Sequence, residues 1–108
     1  MAAVPELAPA EARRLLQAAG AQGVILDVRE PWEYALVHVP GALHIPMGDI
    51  PARLEELNPD RTYVVMCHHG SRSQRVADFL QSRGFRQVAN AAGGIDAWAG
   101  EDTSLPRY

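Results

Sequence analysis

The segment from residue 64 to residue 74 constrains this chain most, because a buried strand there runs into the only cysteine. Val64-Val65-Met66 is a short apolar run, which is typical of a strand covered on both faces. Cys67 follows directly, and Gly70 supplies the backbone freedom that a tight loop needs. The pattern therefore predicts a strand followed by a tight loop, with the cysteine at the carboxyl end of the strand. Ligands of open α/β sheets bind at that end.

A helix is predicted directly after this loop. Ser71 and Gln74 match the S-x-x-Q capping box, which places the first helical residue at Arg72. Free amides at a helix start, together with the helix dipole and a nest of loop amides, favour a negative charge. We therefore expect the Cys67 thiolate to be stabilised, and the Arg72 guanidinium to add to that effect. This context outweighs the alternative that a lone cysteine is a small buried hydrophobe.

The loop Cys67-His68-His69-Gly70-Ser71-Arg72 resembles the active-site loop of rhodanese-type sulfurtransferases, in which four residues separate a cysteine from an arginine. The related cell-cycle phosphatases and arsenate reductases have five residues in that gap. The sixth residue after the cysteine is Ser73 here, so the shorter loop favours sulfur over phosphate. Residues 37–46 and 93–98 are similar to the family's His-Ile-Pro-Gly-Ala and Gly-Gly-x-x-x-Trp segments. The resemblance covers nearly the whole chain.

Composition is that of an ordinary globular domain. The chain has 108 residues, of which 47% are hydrophobic and 21% charged, and one domain of this size can bury a core. The net charge of −3 gives no electrostatic footprint for nucleic acid or an anionic membrane. We see no signal peptide and no apolar run near the roughly 20 residues of a membrane span. A single cysteine fits a reducing compartment, so we expect a cytoplasmic protein without nucleic-acid or membrane partners.

Strands are predicted to alternate with helices along the chain. The predicted strands cover residues 4–7 (at a sheet edge, because of Pro5), 23–28, 42–45, 64–66 and 86–90. The predicted helices cover residues 9–19, a short turn from Pro31, residues 48–57 with Asp49 as cap, a segment that begins at residue 72 and is stopped by Gly84, and the segment around Trp98. This order predicts a three-layer α/β/α domain with a mainly parallel, roughly five-stranded sheet over residues 1–108. Residues from about 100 to 108 are predicted to form a surface tail.

The resemblance implies a two-step transfer of a sulfane sulfur. Cys67 would be the catalytic nucleophile, carry a persulfide and pass its outer sulfur on. The substrate-binding residues would be those of the loop, namely His68, His69, Gly70, Ser71, Arg72 and Ser73. Asp27 and Arg29 lie in a segment similar to the family's Asp-x-Arg motif and are expected to support this loop or to line its entrance. His38 and His44 are expected to be hydrogen-bonded structural residues, and Arg72 to pair with a carboxylate that the sequence does not identify.

The donor implied is thiosulfate or a persulfide, and the acceptor is an external thiol or cyanide. An external acceptor is needed because no second cysteine can resolve the persulfide. A sulfur-relay protein could serve as partner, and no cofactor is expected. No metal is expected either, because Cys67, His68 and His69 are adjacent and zinc sites use wider spacings. Two alternatives stay open: a persulfide carrier or binding module for a protein partner, and a phosphatase or arsenate reductase on the same fold.

Overall fold

Strands and helices alternate as predicted except between the third and fourth strands, and every strand in the described part of the chain pairs in parallel. The structure, a computed structural model, describes residues 3–101 and residue 105. The strands are β1 (Glu6–Leu7), β2 (Gly23–Asp27), β3 (Leu43–His44), β4 (Thr62–Met66) and β5 (Gln87–Ala91). The helices are α1 (Pro9–Ala19), α2 (Pro31–Leu36), α3 (Ser71–Ser82) and α4 (Gly94–Glu101). Within the described ranges, every helix is too short or too polar to cross a membrane.

The sheet has the order β1-β5-β4-β2-β3, so the strand that precedes Cys67 is central. All five residues of β4 are buried, which explains their apolar run. Side chains alternate between two cores: Val65 packs in the cluster that contains Leu80 of α3, whereas Val64 packs in the cluster that contains Trp98 of α4. Helix α1 contributes to the second cluster through Ala12. The three-layer prediction and the edge position of the first strand are both confirmed.

The predicted helix over residues 48–57 is wrong. The chain there forms two separate 3-10 turns, Met47–Asp49 and Leu54–Glu56. Arg53 lies between them with φ −110° and ψ 15°, outside the α-helical region, so one continuous helix cannot pass through it. The apolar spacing that predicted a helix reflects burial instead, because Ile50 and Leu57 both pack into the core beside α3.

The start of α3 also differs from the prediction. Helix α3 begins at Ser71, one residue earlier than predicted, and its N-cap is Gly70 with φ +111°. Ser71 therefore occupies the first helical position, and no side chain caps the helix. Ser71 and Gln74 have the residue types of a capping box, but Ser71 lies one position too late to be the N-cap. The left-handed backbone conformation at Gly70 already turns the chain into the helix. At the other end of the chain, α4 continues to Glu101, so the predicted tail begins later; most of it lies outside the described residues.

Helix α4 begins directly against the loop that follows β4. The backbone N–H groups of Ile95 and Asp96 donate to the carbonyls of Cys67 and His68 at 2.8 and 3.1 Å. Gly94 makes this approach possible: a Cβ atom added there would overlap both carbonyl groups, and its φ is +60°. The final helix thus holds the loop from one side through its own free amides.

We expect Gly94→Ala to destabilise the fold by about 2 kcal/mol or more, because either the loop or α4 must move to accommodate the methyl group. Urea unfolding, monitored by circular dichroism, measures this loss. Gly48→Ala is the matched control, since its added Cβ meets nothing within 4 Å. Equal stability of the two variants would contradict the close approach of α4 to the loop.

Candidate active site

The sulfur of Cys67 lies inside a cradle of hydrogen-bond donors at the carboxyl end of β4. The Gly70 N–H donates to Sγ at 3.0 Å, and the Ser73 hydroxyl lies 3.3 Å from the same atom. The Gly70 turn directs this amide back at the cysteine. Cys67 is only 1% exposed, so a donor must insert a small group into the loop to reach the sulfur.

Two opposing effects act on the pKa of the Cys67 thiol. Burial alone raises it, because a buried thiolate loses its hydration. Hydrogen bonds from the Ser73 side chain and from the backbone N–H groups of Ser73, Gly70 and Arg72 outweigh burial, so that the net pKa is lower than usual. This agrees with the predicted stabilisation of the thiolate by loop amides.

The carboxylate partner of Arg72 is Glu33 of α2. The guanidinium donates to both carboxylate oxygens, at 2.6 and 2.9 Å, in the bidentate geometry that arginine favours. The Glu33 side chain is 5% exposed and that of Arg72 is 31% exposed. The positive charge that was expected to stabilise the thiolate is thus largely neutralised by a carboxylate. Arg72 instead ties the start of α3 to α2 and holds the loop closed.

Asp27 and Arg29 form a fully buried ion pair beside the loop. The Arg29 guanidinium donates to both oxygens of the Asp27 carboxylate, with the shortest contact at 2.7 Å, and neither side chain is exposed. It also donates to the backbone carbonyls of Glu33 and Val37, at 3.2 and 2.6 Å. Because β2 neighbours β4, this pair lies next to the strand that carries Cys67. Arg29 fixes α2 and therefore fixes Glu33, the partner of Arg72.

The histidines outside the loop are held by backbone hydrogen bonds. His44 Nε2 lies 2.7 Å from the Arg29 carbonyl and His38 Nδ1 lies 2.9 Å from the Tyr34 carbonyl. Both rings stack on Tyr34, with centroid distances of 4.0 Å for His38 and 4.3 Å for His44. Since a carbonyl only accepts, each of these ring nitrogens carries a proton. These contacts match the structural roles expected of the two residues.

The loop histidines lie at its outer edge. The rings of His68 and His69 stack at 3.9 Å, and one ligand atom of each lies within 4.8 Å of a carboxylate oxygen of Asp96. The side chains of these two adjacent histidines therefore do converge on one region beside Asp96, contrary to the expectation for neighbouring residues. These are three ligand atoms, whereas structural zinc sites have four, and the expectation of no metal stays a prediction. Ser71, the remaining predicted loop residue, is exposed at the start of α3.

Two residues that bind the loop around Cys67 do not stand out in the sequence. Glu33 was not singled out, although it lies four residues after Arg29 at the start of a predicted helix. Asn90 was passed over as part of a strand, yet its side chain accepts from Ser73 at 2.5 Å and donates to Gly70 at 3.0 Å. One feature of the sequence points to Asn90: it is a polar residue near the carboxyl end of a predicted strand. That strand, β5, pairs with the central strand β4, which leads to Cys67.

This combination of a parallel sheet and a cysteine loop at its central strand defines a known class. Residues 8–101 match the model of the rhodanese-like domain, and the chain belongs to that family. Several of its relatives are named as sulfurtransferases or as a sulfur carrier.

Three relatives illustrate the likeness. YtwF of Bacillus subtilis, named as a candidate sulfurtransferase, is 47% identical over 77 residues, which are 71% of this chain and 74% of that protein. The thiosulfate sulfurtransferase GlpE of Pseudomonas fluorescens is 37% identical over 90 residues, covering 83% of this chain and 81% of that protein. YrkF of Bacillus subtilis, named as a candidate sulfur carrier, is 42% identical over 71% of this chain, but the match spans only 42% of YrkF.

Solved structures give the same fold. A rhodanese-related protein from Thermoplasma volcanium superposes with a TM-score of 0.82 at 27% identity, covering 96% of this chain and 99% of that one. The predicted family and the predicted fold are thereby confirmed.

We expect Arg29→Ala to destabilise the protein by about 3–5 kcal/mol, because it leaves the Asp27 carboxylate buried and unpaired. Urea unfolding measures the change. Arg53→Ala is the matched control: Arg53 also pairs with a carboxylate, but on the surface, and its loss should have little effect. A small effect of Arg29→Ala would contradict the role of the buried pair in fixing α2.

We expect Cys67 to react with iodoacetamide at lower pH than an ordinary thiol. The alkylation rate follows the thiolate fraction, and a lowered pKa moves its midpoint below the value of about 8.5 for free cysteine. The urea-unfolded chain is the control, because it carries the same single cysteine without the loop. A folded-state midpoint at or above the unfolded one would show that burial, not hydrogen bonding, dominates.

Proposed function

We propose that this protein is a thiosulfate sulfurtransferase of the rhodanese type that works through a persulfide on Cys67. The observation that supports this most is the donor cradle around Sγ: the Gly70 amide and the Ser73 hydroxyl lie at 3.0 and 3.3 Å. Donors in that arrangement stabilise an anionic sulfur without needing a cofactor. The name of the relative GlpE supports thiosulfate as the donor.

The reaction has two balanced steps. The Cys67 thiolate attacks the outer sulfur of thiosulfate; an S–S bond to Cys67 forms, the sulfur–sulfur bond of thiosulfate breaks, and sulfite leaves with the electron pair. An external thiolate, or cyanide in an assay, then attacks the outer sulfur of the persulfide and releases the Cys67 thiolate. We expect ping-pong kinetics. The chain has no second cysteine, so the acceptor comes from outside.

The loop suits a small anionic donor. Cys67 is almost fully enclosed, so the terminal sulfur of thiosulfate or of a persulfide fits the entry better than a bulky group. We assign His68 and His69, at the outer edge, to contacts with the rest of the donor. Arg72 acts mainly by holding the loop closed through Glu33, and Asp27 with Arg29 supports that contact. We place the reaction in the cytoplasm, where a reducing environment keeps a lone thiol free.

A persulfide carrier is the second candidate, and the sulfur-carrier name of YrkF favours it. In that case a sulfur-relay protein, not thiosulfate, would load Cys67 and a protein thiol would unload it. The same cradle would serve both roles, because it stabilises the persulfide and does not depend on which molecule delivers it. The two candidates differ in whether thiosulfate alone suffices.

We expect intact-protein mass spectrometry to show a gain of one sulfur atom after incubation with thiosulfate, and its loss after cyanide. Cys67→Ser is the control and should gain nothing while remaining folded. Loading by a persulfide donor but not by thiosulfate would favour the carrier. No loading by either donor would overturn the proposed function, and phosphate and arsenate substrates would then be the next to test.

A further inference from the structure

A chain of hydrogen bonds runs from the surface of α3 to the sulfur of Cys67. The side-chain nitrogen Nε2 of Gln74 donates to the Asp78 carboxylate at 3.0 Å. The side-chain nitrogen Nδ2 of Asn90 donates to the side-chain oxygen Oε1 of Gln74 at 3.0 Å. Asn90 Nδ2 also lies 3.0 Å from the Gly70 carbonyl, and the Ser73 hydroxyl lies 2.5 Å from Asn90 Oδ1. The loop, α3 and β5 are thus joined through one side chain, Asn90.

Two groups that can only accept set the direction of this chain. The Asp78 carboxylate must face the amide nitrogen of Gln74, which turns the Gln74 oxygen towards Asn90. The Gly70 carbonyl must likewise face the Asn90 nitrogen. Both requirements orient Asn90 in the same way, so its oxygen faces Ser73. Flipping the Asn90 amide would set two oxygens against each other at Gly70.

Ser73 has one hydroxyl proton and three acceptors within reach in the active site. Its oxygen lies 2.5 Å from Asn90 Oδ1, 3.2 Å from the Gly70 carbonyl oxygen and 3.3 Å from Cys67 Sγ, so the Asn90 contact is the shortest. Cys67, Ser73 and Asn90 are all buried, so no bulk water can supply a substitute donor. While Cys67 is a thiol, the shorter contact holds the proton on the Asn90 side, and the Ser73 oxygen can accept from the S–H group. When Cys67 is a thiolate, the hydroxyl must turn to donate to the sulfur.

We propose that Asn90 is a positioning residue that governs the reactivity of Cys67 by competing with the sulfur for the single hydroxyl proton of Ser73. The relevance of this competition to sulfur transfer rests on the proposed function, since the same hydroxyl would donate to the anionic persulfide. The test of the competition needs no sulfur transfer. Asn90 touches neither the sulfur nor a substrate and acts through Ser73.

Other charged and titratable groups surround the loop, and substitution of Asn90 leaves them in place. Asp27 with Arg29 on the β2 side, and Glu33 with Arg72 between α2 and α3, are ion pairs. On the α4 side lie His68, His69 and Asp96. Because these groups are common to all the variants compared, they do not account for a change on replacing Asn90. Asn90→Leu also removes the contacts with Gly70 and Gln74, so a second substitution at Ser73 is needed to isolate the Ser73 contact.

Alkylation of Cys67 by iodoacetamide tests the competition. The alkylation rate of each variant is measured over a range of pH and divided by that variant's plateau rate at high pH. This normalisation removes differences in access to the sulfur, so that the remaining differences report the ionisation of Cys67. Asn90→Leu has a similar volume but no acceptor, and we expect about fivefold faster normalised alkylation below the midpoint. Gln87→Leu is the matched control on the same strand: it also loses a side-chain hydrogen bond, to Thr62, and should change nothing.

A double-mutant cycle tests whether Asn90 acts through Ser73. Ser73→Ala should slow the normalised alkylation, and adding Asn90→Leu to it should have no further effect. Unchanged or slower alkylation in Asn90→Leu alone would overturn the proposal. A rate increase that persists without the Ser73 hydroxyl would also overturn it. A protein that accepts no sulfur from thiosulfate could still pass this test, and an active sulfurtransferase could fail it.

If Asn90→Leu does not fold, the S–H stretching band of the protein gives a second test. The single cysteine makes this infrared band unambiguous. We expect the band at low pH to be shifted to lower frequency by donation to the Ser73 oxygen, and to move back in Ser73→Ala. Identical bands in the two proteins would show that the Ser73 proton faces the sulfur, contrary to the proposal.

Discussion

The buried guanidinium of Arg29 is the contact on which the geometry of the site depends. It binds the Asp27 carboxylate at the end of β2 and the carbonyls of Glu33 and Val37, and thereby fixes the short helix α2. A six-residue helix has little stability of its own, so this anchor determines where Glu33 lies. Glu33 in turn holds Arg72 and closes the loop around the sulfur.

The loop is held from two sides by three different kinds of contact. On the β2 side, the Glu33–Arg72 ion pair holds the start of α3. On the opposite side, Asn90 of β5 binds the Gly70 carbonyl, and α4 donates backbone amides to Cys67 and His68. These contacts leave the loop amides free to face inward. The thiolate is thus stabilised by fixed dipoles, while the charge of the nearby Arg72 is paired with Glu33.

Local sequence patterns predicted most of the fold. The apolar run before Cys67 became the central buried strand, and helix α1 has the predicted bounds. The two failures have local causes. The segment of residues 48–57 has helical apolar spacing but is interrupted at Arg53, and Ser71 matches a capping box although Gly70 is the N-cap. In both places backbone dihedral angles outside the helical region decided the outcome, and residue spacing does not reveal these angles.

The sequence by itself determined the strand–loop–helix frame around Cys67, because strand burial, a glycine turn and a helix start are properties of neighbouring residues. Asp27 and Arg29 were singled out only by their resemblance to the family's Asp-x-Arg motif. Only the tertiary structure decided that Glu33 binds Arg72, 39 residues away, and that Asn90 reaches Ser73, 17 residues away. Such pairs depend on which strands become neighbours in the sheet. Strand order is a property of the whole packed domain, and no local pattern encodes it.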